Sequence, residues 1–404
     1  MHIPPGFSVV NGELGIAGKP ASHWVAEAGG TPLFVYDRGL IAERIERLRS
    51  ALPPQVKIHY AIKANPMPSL VTWMAERVDG LDVASAGELS VALGSGMRAG
   101  DISFAGPGKR DPELELAIDA GVVLNLESEG ELERAARAAR RLGKPLRAAV
   151  RVNPPFDLKA SGMRMGGGAK PFGVDAERVP AMLDRIAALG AVFEGFHVFA
   201  GSQNLSADSL IEAQAKTIDL VAELSAHAPN PPRVANIGGG FGLPYFPGDK
   251  PLDVERVGAA LGDRLAGRAA ILRDTEFVLE LGRYLVGEAG VYLTQVVDRK
   301  ASQGELFLIV DGGMHHQLAA SGNFGTVIRR NYPVANASRF AEPPSETANI
   351  VGCLCTPLDR LAEKAPLPES REGDLVAVFM AGAYGRTASP TAFLGHPEPR
   401  ELLV

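Results

Sequence analysis

Residues 56–66, VKIHYAIKANP, interleave apolar Val56, Ile58, Tyr60 and Ile62 with Lys57, His59, Ala61 and Lys63. A period of two is that of a β-strand with one face on each side of a sheet. Ala64-Asn65-Pro66 then turns the chain, because Pro fixes its own backbone and restricts the residue before it. The strand is expected to run to Lys63 and to leave an amine at its C-terminal end.

Seven more β-rich runs follow: GLDVAS (80–85), ISFAGP (102–107), VVLNLES (122–128), RAAVRVNP (147–154), FEGFHVFAGS (193–202), RVANIGGG (233–240) and EFVLELGRY (276–284). Helical stretches lie between them, several with Asp, Ser or Pro at the start and Gly at the end, as helix caps prefer. Short buried strands alternating with helices imply parallel βαβ units. Eight of them imply a closed (β/α)8 barrel.

After about residue 290 the texture changes. Residues 290–313 read as a hairpin, and 349–384 hold β-rich runs broken by Pro and Gly with almost no helix signal. The expected fold is α/β plus all-β. N-terminal strands at 1–31 join a β domain at 291–404, and the barrel spans 32–290.

A chain of 404 residues exceeds one ordinary core, which agrees with two domains. With 41 basic and 47 acidic residues, net −6, it has no basic stripe for nucleic acid. No uncharged apolar stretch is long enough to span a bilayer, and residues 1–18 lack the basic and apolar regions of a secretory leader. Cys353 and Cys355 are too close for an ordinary disulfide and have no second pair for zinc. A cytoplasmic enzyme without a metal is expected.

In such a barrel the reactive groups project from the C-terminal strand ends. Here those ends carry Lys63, Asp82, Ser85, Glu127, Arg151, Asn153, Gly201, Ser202, the glycines at 238–240, Glu280 and Arg283. Three consecutive glycines let backbone N–H groups approach an anion, and Ser202 adds a hydroxyl. A phosphate cradle, a strand-end lysine and Glu280 point to pyridoxal phosphate: the lysine forms a Schiff base and the carboxylate pairs with the pyridinium nitrogen. Burial in the barrel mouth would lower the lysine's pKa and open imine chemistry near neutral pH. The bland alternative is a lysine that snorkels to the rim.

Seven motifs now stand in order along nearly the whole chain: HYAIKANP, LDVASAGEL, FHVFAGSQN, NIGGGFG, ELGRY, GCLCTPLD and AGAYG. Together they resemble the fold-type III pyridoxal phosphate decarboxylases that act on diaminopimelate, ornithine and arginine. The resemblance implies Lys63 as the Schiff-base lysine, with Asp82 and Glu88 in the motif beside it. It implies Arg151, Phe199, Ser202, Gly239, Gly240, Gly282, Arg283 and Tyr384 around the cofactor, and Glu280 at the pyridine nitrogen. Cys355, contributed across a homodimer interface, would protonate the carbanion after CO2 leaves. Related barrel racemases place an arginine at that nitrogen, so Glu280 favours decarboxylation.

The chain departs from the family in two places. Phe199 occupies the position of the family's ring-stacking histidine, while His197 falls two residues earlier on the same strand face. A phenyl ring stacks but donates no proton. Thr356 follows Cys355 where the diaminopimelate enzymes carry a glutamate, and Ala319 stands about where their distal arginine sits. An unpaired buried charge costs about 3–5 kcal/mol, which disfavours meso-diaminopimelate.

GGMHHQLAASGNFG (312–325) with CTPLD (355–359) is instead similar to the exosortase-associated decarboxylases and those acting on aminoacyl groups held by an acyl carrier protein. A tethered substrate needs no charged clamp at its far end. His315, His316, Arg329 and Arg330 would then face a phosphopantetheine arm or an acidic carrier, with Arg283, Thr356 and Asp359 toward the substrate. The alternative is that these residues pack or solvate the β domain. The expected activity is decarboxylation of an L-amino acid or aminoacyl conjugate. The rivals are a diaminopimelate decarboxylase with an altered clamp, a pyridoxal racemase and a non-catalytic pyridoxal-binding homologue.

Overall fold

The structure, a computed structural model, describes residues 3–159, 162–322 and 330–404. Eight parallel strands form a closed barrel: β1 (Val56–Ala61), β2 (Gly80–Val83), β3 (Ile102–Phe104), β4 (Val123–Leu126), β5 (Arg147–Asn153), β6 (Val192–Val198), β7 (Val234–Gly239) and β8 (Glu276–Leu281). Each pairs with its neighbours in chain order. The ring closes where Leu279 of β8 sits opposite Ile58 of β1. Seven of the eight lie within the runs expected from the sequence, and β6 begins one residue earlier, at Val192.

Among the described residues, seven helices cover the barrel between these strands, from Pro68–Ala75 to Val254–Ala266. Their ends follow elementary backbone chemistry. Ser85, Ser128, Ser206 and Asp253 each accept a first-turn backbone N–H, which satisfies a donor the helix itself leaves unpaired. Gly121 and Gly143 close two helices in the left-handed conformation that glycine adopts without a Cβ penalty.

One strand residue is dictated by space. A Cβ on Gly195, at φ +146°, would lie 1.8 Å from the Val234 carbonyl oxygen, so β6 and β7 come together only around a bare backbone.

Two features of the barrel differ from expectation. β1 ends at Ala61, and Ile62–Ala64 is a 3-10 turn, so Lys63 sits just past the strand rather than on it. Asn65 is extended before Pro66, and its carbonyl accepts the Tyr60 hydroxyl at 2.9 Å, which pins the turn. The connection after β5 also contains short strands: Val174–Asp175 extends the sheet beside β5, and Met163–Arg164 pairs with Gly201–Ser202.

The chain divides into two compact units. One is the barrel, residues 45–243 and 250–282; the other comprises residues 1–44, 244–249 and 283–404. In the second unit the long strand Gly290–Ser302 is central. It runs antiparallel to Glu305–Val310 as the expected hairpin, and also pairs with Leu33–Tyr36 and Leu375–Val378.

These boundaries correct those at 31/32 and 290/291. Leu33–Tyr36 places its backbone bonds on Gly290–Leu293 and Arg400–Leu403, which makes it a strand of the β unit. The N-terminal strands Ser8–Val10, Glu13–Ile16 and Lys19–Pro20 form a small sheet of their own, tied on by a bond from Leu14 N to Ala337 O.

Candidate active site

The barrel mouth gathers the charged residues at its strand ends into linked pairs. Lys63 Nζ stands 3.5 Å from Glu280 Oε1, and His197 Nε2 lies 2.9 Å from Glu280 Oε2. Burial alone would raise the Glu280 carboxyl, but the Lys63 ammonium and the His197 hydrogen bond hold it well below the usual carboxylate range. It stays ionised. The Lys63 side chain is 42% exposed, so the burial expected from the sequence is not there. Its Nζ is 5.6 Å from the centre of the Phe199 ring.

Asp82, on β2, is buried with its Oδ1 2.5 Å from the Ser103 hydroxyl and 3.4 Å from His59 Nδ1. Burial pushes His59 down, yet Asp82 more than reverses this and raises the imidazole. Asp82 Oδ2 has no hydrogen-bond partner among the described residues. Glu88 caps its helix by accepting Ala84 N at 2.7 Å, and burial raises its carboxyl. Neither His59 nor Ser103 was singled out from sequence. Their inward positions on β1 and β3 become meaningful only when the strands are neighbours of β2.

Arg151 and Glu127 form a buried pair at 2.8 Å, and Glu127 also accepts Gly106 N and Gly173 N. Burial opposes the Glu127 charge, but Arg151 and Lys109 keep its carboxyl low. Asn153 is likewise committed, donating to Gly168 O and Asp175 Oδ1 at 2.9 Å.

The glycine run after β7 is bare backbone by necessity. Cβ atoms on Gly238, Gly239 and Gly240 would approach Val198 O, Glu280 O and Gly201 O to 2.8, 2.2 and 2.8 Å. Gly238 and Gly240 also take positive φ, at +73° and +76°. Residues 201–204 are zipped to this loop by bonds from Asn204 N to Gly240 O and Gly242 N to Asn204 O. Gln203, itself at φ 60°, clamps Leu243 through both its backbone groups. Ser202 is therefore carried beside the glycine loop. Gly282 packs as tightly, its absent Cβ lying 2.9 Å from Ala64 Cβ and 3.0 Å from Ala61 O.

The β unit places Arg283 among Tyr245, Tyr332 and Tyr384. Its Nη1 donates to the Tyr245 hydroxyl at 2.9 Å, and its guanidinium carbon is 4.6 Å from the Tyr384 ring centre. Burial works against the charge, but the tyrosines favour it and hold Arg283 ionised. Arg283 Nε is buried without a partner among the described residues. Tyr384 adopts φ 54°, which a bulky residue rarely does. Tyr245, which completes this group, stands outside every motif read from the sequence.

Cys355 is an exposed free thiol and Cys353 a half-buried one. Asp359 is buried, with its oxygens accepting Met314 N at 2.6 Å and Leu354 N at 2.9 Å. Gly313 and Gly352 close on that carboxylate so tightly that a Cβ on either would meet it within 2.3 Å. Asp359 thus shapes the turn that carries Cys355 and Thr356 and has no face for a substrate. Thr356 stays in that turn, its backbone N donating to Leu354 O.

The two histidines need a clearer correction. His315 and His316 are 0% and 1% exposed, with rings 3.7 Å apart, so neither presents itself to a carrier surface. Burial pushes them down to about 4 and about 3, and they are neutral. They pack the β unit because His316 finds polar partners there, the Tyr292 hydroxyl and Pro397 O, both at 3.0 Å. Arg329 lies outside the described residues.

A closed parallel barrel with an amine, an ionised buried carboxylate and a bare glycine loop at its mouth is the framework of a barrel-type pyridoxal enzyme. Residues 38–287 match the family described as pyridoxal-dependent decarboxylase, pyridoxal binding domain, and the chain belongs to that family. It is a carboxy-lyase whose cofactor is pyridoxal 5′-phosphate.

The chain is 39% identical over 379 residues to the L-glutamyl-[BtrI acyl-carrier protein] decarboxylase of Niallia circulans, covering 92% of this chain and 88% of that protein. It is 34% identical to the diaminopimelate decarboxylase of Aquifex aeolicus, covering 98% and 91%. Among solved structures, the diaminopimelate decarboxylase of M. jannaschii in complex with L-lysine superposes with a TM-score of 0.87 at 26% identity, covering 99% and 93% of the two chains.

The residues present fit the cofactor. The barrel offers an amine beside an ionised carboxylate and a loop that only backbone can occupy. An amine attacks a carbonyl carbon, an ionised carboxylate accepts from a protonated ring nitrogen, and bare backbone N–H groups donate to a phosphate.

Proposed function

We propose that the protein decarboxylates an aminoacyl group carried on an acyl carrier protein, as a homodimer in the cytoplasm. The observation that carries the substrate assignment is the position of the distal clamp. Ala319 lies in the 3-10 turn Leu318–Ser321, and the polar residues just before it, His315, His316 and Gln317, are buried inside the β unit. A free substrate with a charged far end would find no partner in this stretch, whereas a tethered one needs none. The likeness to a carrier-protein glutamyl decarboxylase supports the same reading.

When bound, pyridoxal phosphate supplies the electron sink for the bond that breaks as CO2 leaves. Lys63 would anchor it at the mouth, with Phe199 giving an apolar face in place of an imidazole. Glu280, kept ionised and oriented by His197, would hold a proton at the ring nitrogen. Ser202, Gly239 and Gly240 would hold the phosphate, and Arg151 adds positive potential toward Glu280. The partner subunit's Cys355 delivers a proton to the α-carbon, a role open to a thiol that is exposed in the single chain. Both cysteines are free thiols, which suits a reducing compartment. No helix among the described residues is long and apolar enough to cross a membrane.

The test is CO2 release from free amino acids, meso-diaminopimelate and aminoacyl carrier proteins compared side by side. Release from the carrier-bound substrates is expected; release from meso-diaminopimelate alone overturns the assignment. Cys355→Ala should keep the bound cofactor's absorbance and lose most turnover. Undiminished kinetics would remove Cys355 from proton transfer.

A further inference from the structure

We propose that Arg330, stacked on Phe246, is the docking point for the phosphodiester of the carrier protein's phosphopantetheine arm; the inference rests on the carrier-bound substrate proposed above. The Arg330 guanidinium carbon lies 3.8 Å from the centre of the Phe246 ring, and the residue is exposed. Stacking fixes the guanidinium plane and leaves its edge N–H donors for a ligand. Several arginines of the same unit are neutralised: Arg299, Arg339, Arg360 and Arg386 each hold a carboxylate at 2.6–2.9 Å. Arg330 has no carboxylate partner among the described residues. An accessible, oriented and unneutralised guanidinium is an anion receptor.

Its surroundings select the anion. Phe246 is half-buried and packs with Tyr332 at 6.2 Å and Tyr245 at 6.1 Å between ring centres, and Tyr245 accepts the hydrogen bond from Arg283. One aromatic cluster therefore carries a guanidinium at each end, Arg283 half-buried and Arg330 exposed. Phosphopantetheine joins its phosphodiester directly to a carbon chain bearing two geminal methyl groups. The phosphodiester oxygens match the Arg330 fork, and the methyl groups match the Phe246 and Tyr332 rings beside it. A surface carboxylate of the carrier would use the arginine but not the rings. With a net charge of −6 the chain gains nothing from long-range attraction to an anion, so recognition has to be local.

Fluorescence polarisation of the cofactor-loaded enzyme with dye-labelled 4′-phosphopantetheine and dye-labelled pantetheine tests this. The wild type should bind the phosphorylated probe about tenfold tighter, the scale of one charge-assisted contact. Arg330→Gln should bring the two probes to near parity, and Phe246→Ala should weaken both; unchanged cofactor absorbance shows that the variants are folded. Equal binding of both probes by the wild type, or an undiminished preference in Arg330→Gln, overturns the proposal. A preference that depends on Arg330, in an enzyme that releases no CO2 from aminoacyl carriers, upholds the docking point and removes the substrate assignment instead.

Discussion

His197 and Glu280 hold one another at the barrel mouth: the imidazole Nε2 is 2.9 Å from one carboxylate oxygen, and the other oxygen faces Lys63 Nζ at 3.5 Å. The histidine displaced from the ring-stacking position thus fixes the carboxylate instead. His197 is a positioning residue. His197→Phe should lower kcat by about tenfold or more, about 1.4 kcal/mol, with little change in KM. It should also shift the visible absorbance of the bound cofactor, and His197→Gln, which can still donate, should recover part of both. An absorbance spectrum identical in His197→Phe would show that the pair does not act on the cofactor.

The same pair has a pH signature in the cofactor-free protein. Because Lys63 and His197 depress the folded-state pKa of Glu280, its stabilisation is complete above the unfolded carboxylate value of about 4.3 and is lost as pH falls toward the folded value. The stability of the wild type minus that of Glu280→Gln should be constant above about pH 5 and shrink in acid. A melting-temperature series in matched buffers checks it; a difference that grows in acid contradicts the assignment.

Lys109 and Glu131 form an ion pair at 2.8 Å with side chains 1% and 3% exposed. Lys109 also donates to Gly106 O at 2.6 Å and Asn125 O at 3.0 Å, supporting the loop that donates to Glu127. Lys109→Met leaves Glu131 buried and uncompensated, and should cost about 3–5 kcal/mol in urea unfolding. Adding Glu131→Leu should return much of that loss, because no lone charge then remains.

His315 and His316 titrate in the opposite sense from a paired histidine. Burial depresses their folded values to about 4 and about 3, so below the unfolded value of about 6.5 the unfolded chain binds more protons. Their neutral burial is compatible with full stability above that value, and stability falls as pH drops through the window beneath it. His315→Gln combined with His316→Gln should flatten the melting temperature between about pH 6.5 and about pH 4. An unaltered slope would place the acid sensitivity elsewhere.

Much of the barrel was legible because its strands and helices carry their own periodicity. Val56 to Ala61 alternates, and Ser85 and Ser128 announce the helices that they cap. The end of β1 was read two residues too far, since Ile62 and Lys63 continue the alternation while Asn65 and Pro66 bend the backbone. Leu33–Tyr36 was assigned to the wrong unit because an apolar run of four states that it is buried but not against what. The candidate site was legible where chemistry is local to a motif, as with Lys63, the glycine loop and Glu280. His59, Ser103 and Tyr245 were not, since each acquires its role from a residue far away in the chain.

The sequence by itself determined the element types, the eightfold βαβ order and the ordered motifs that mark a pyridoxal-dependent decarboxylase, because periodicity, caps and glycine runs act over a few residues. Only the tertiary structure decided which polar residues serve as scaffold and which remain available. Asp359, His315 and His316 look reactive in the sequence, yet they are buried, with Asp359 and His316 bonded inside the β unit, whereas Arg330 is left exposed on a ring. Burial and partnership are set by residues distant in the chain, and they decide whether a charge or an imidazole is free to meet a ligand.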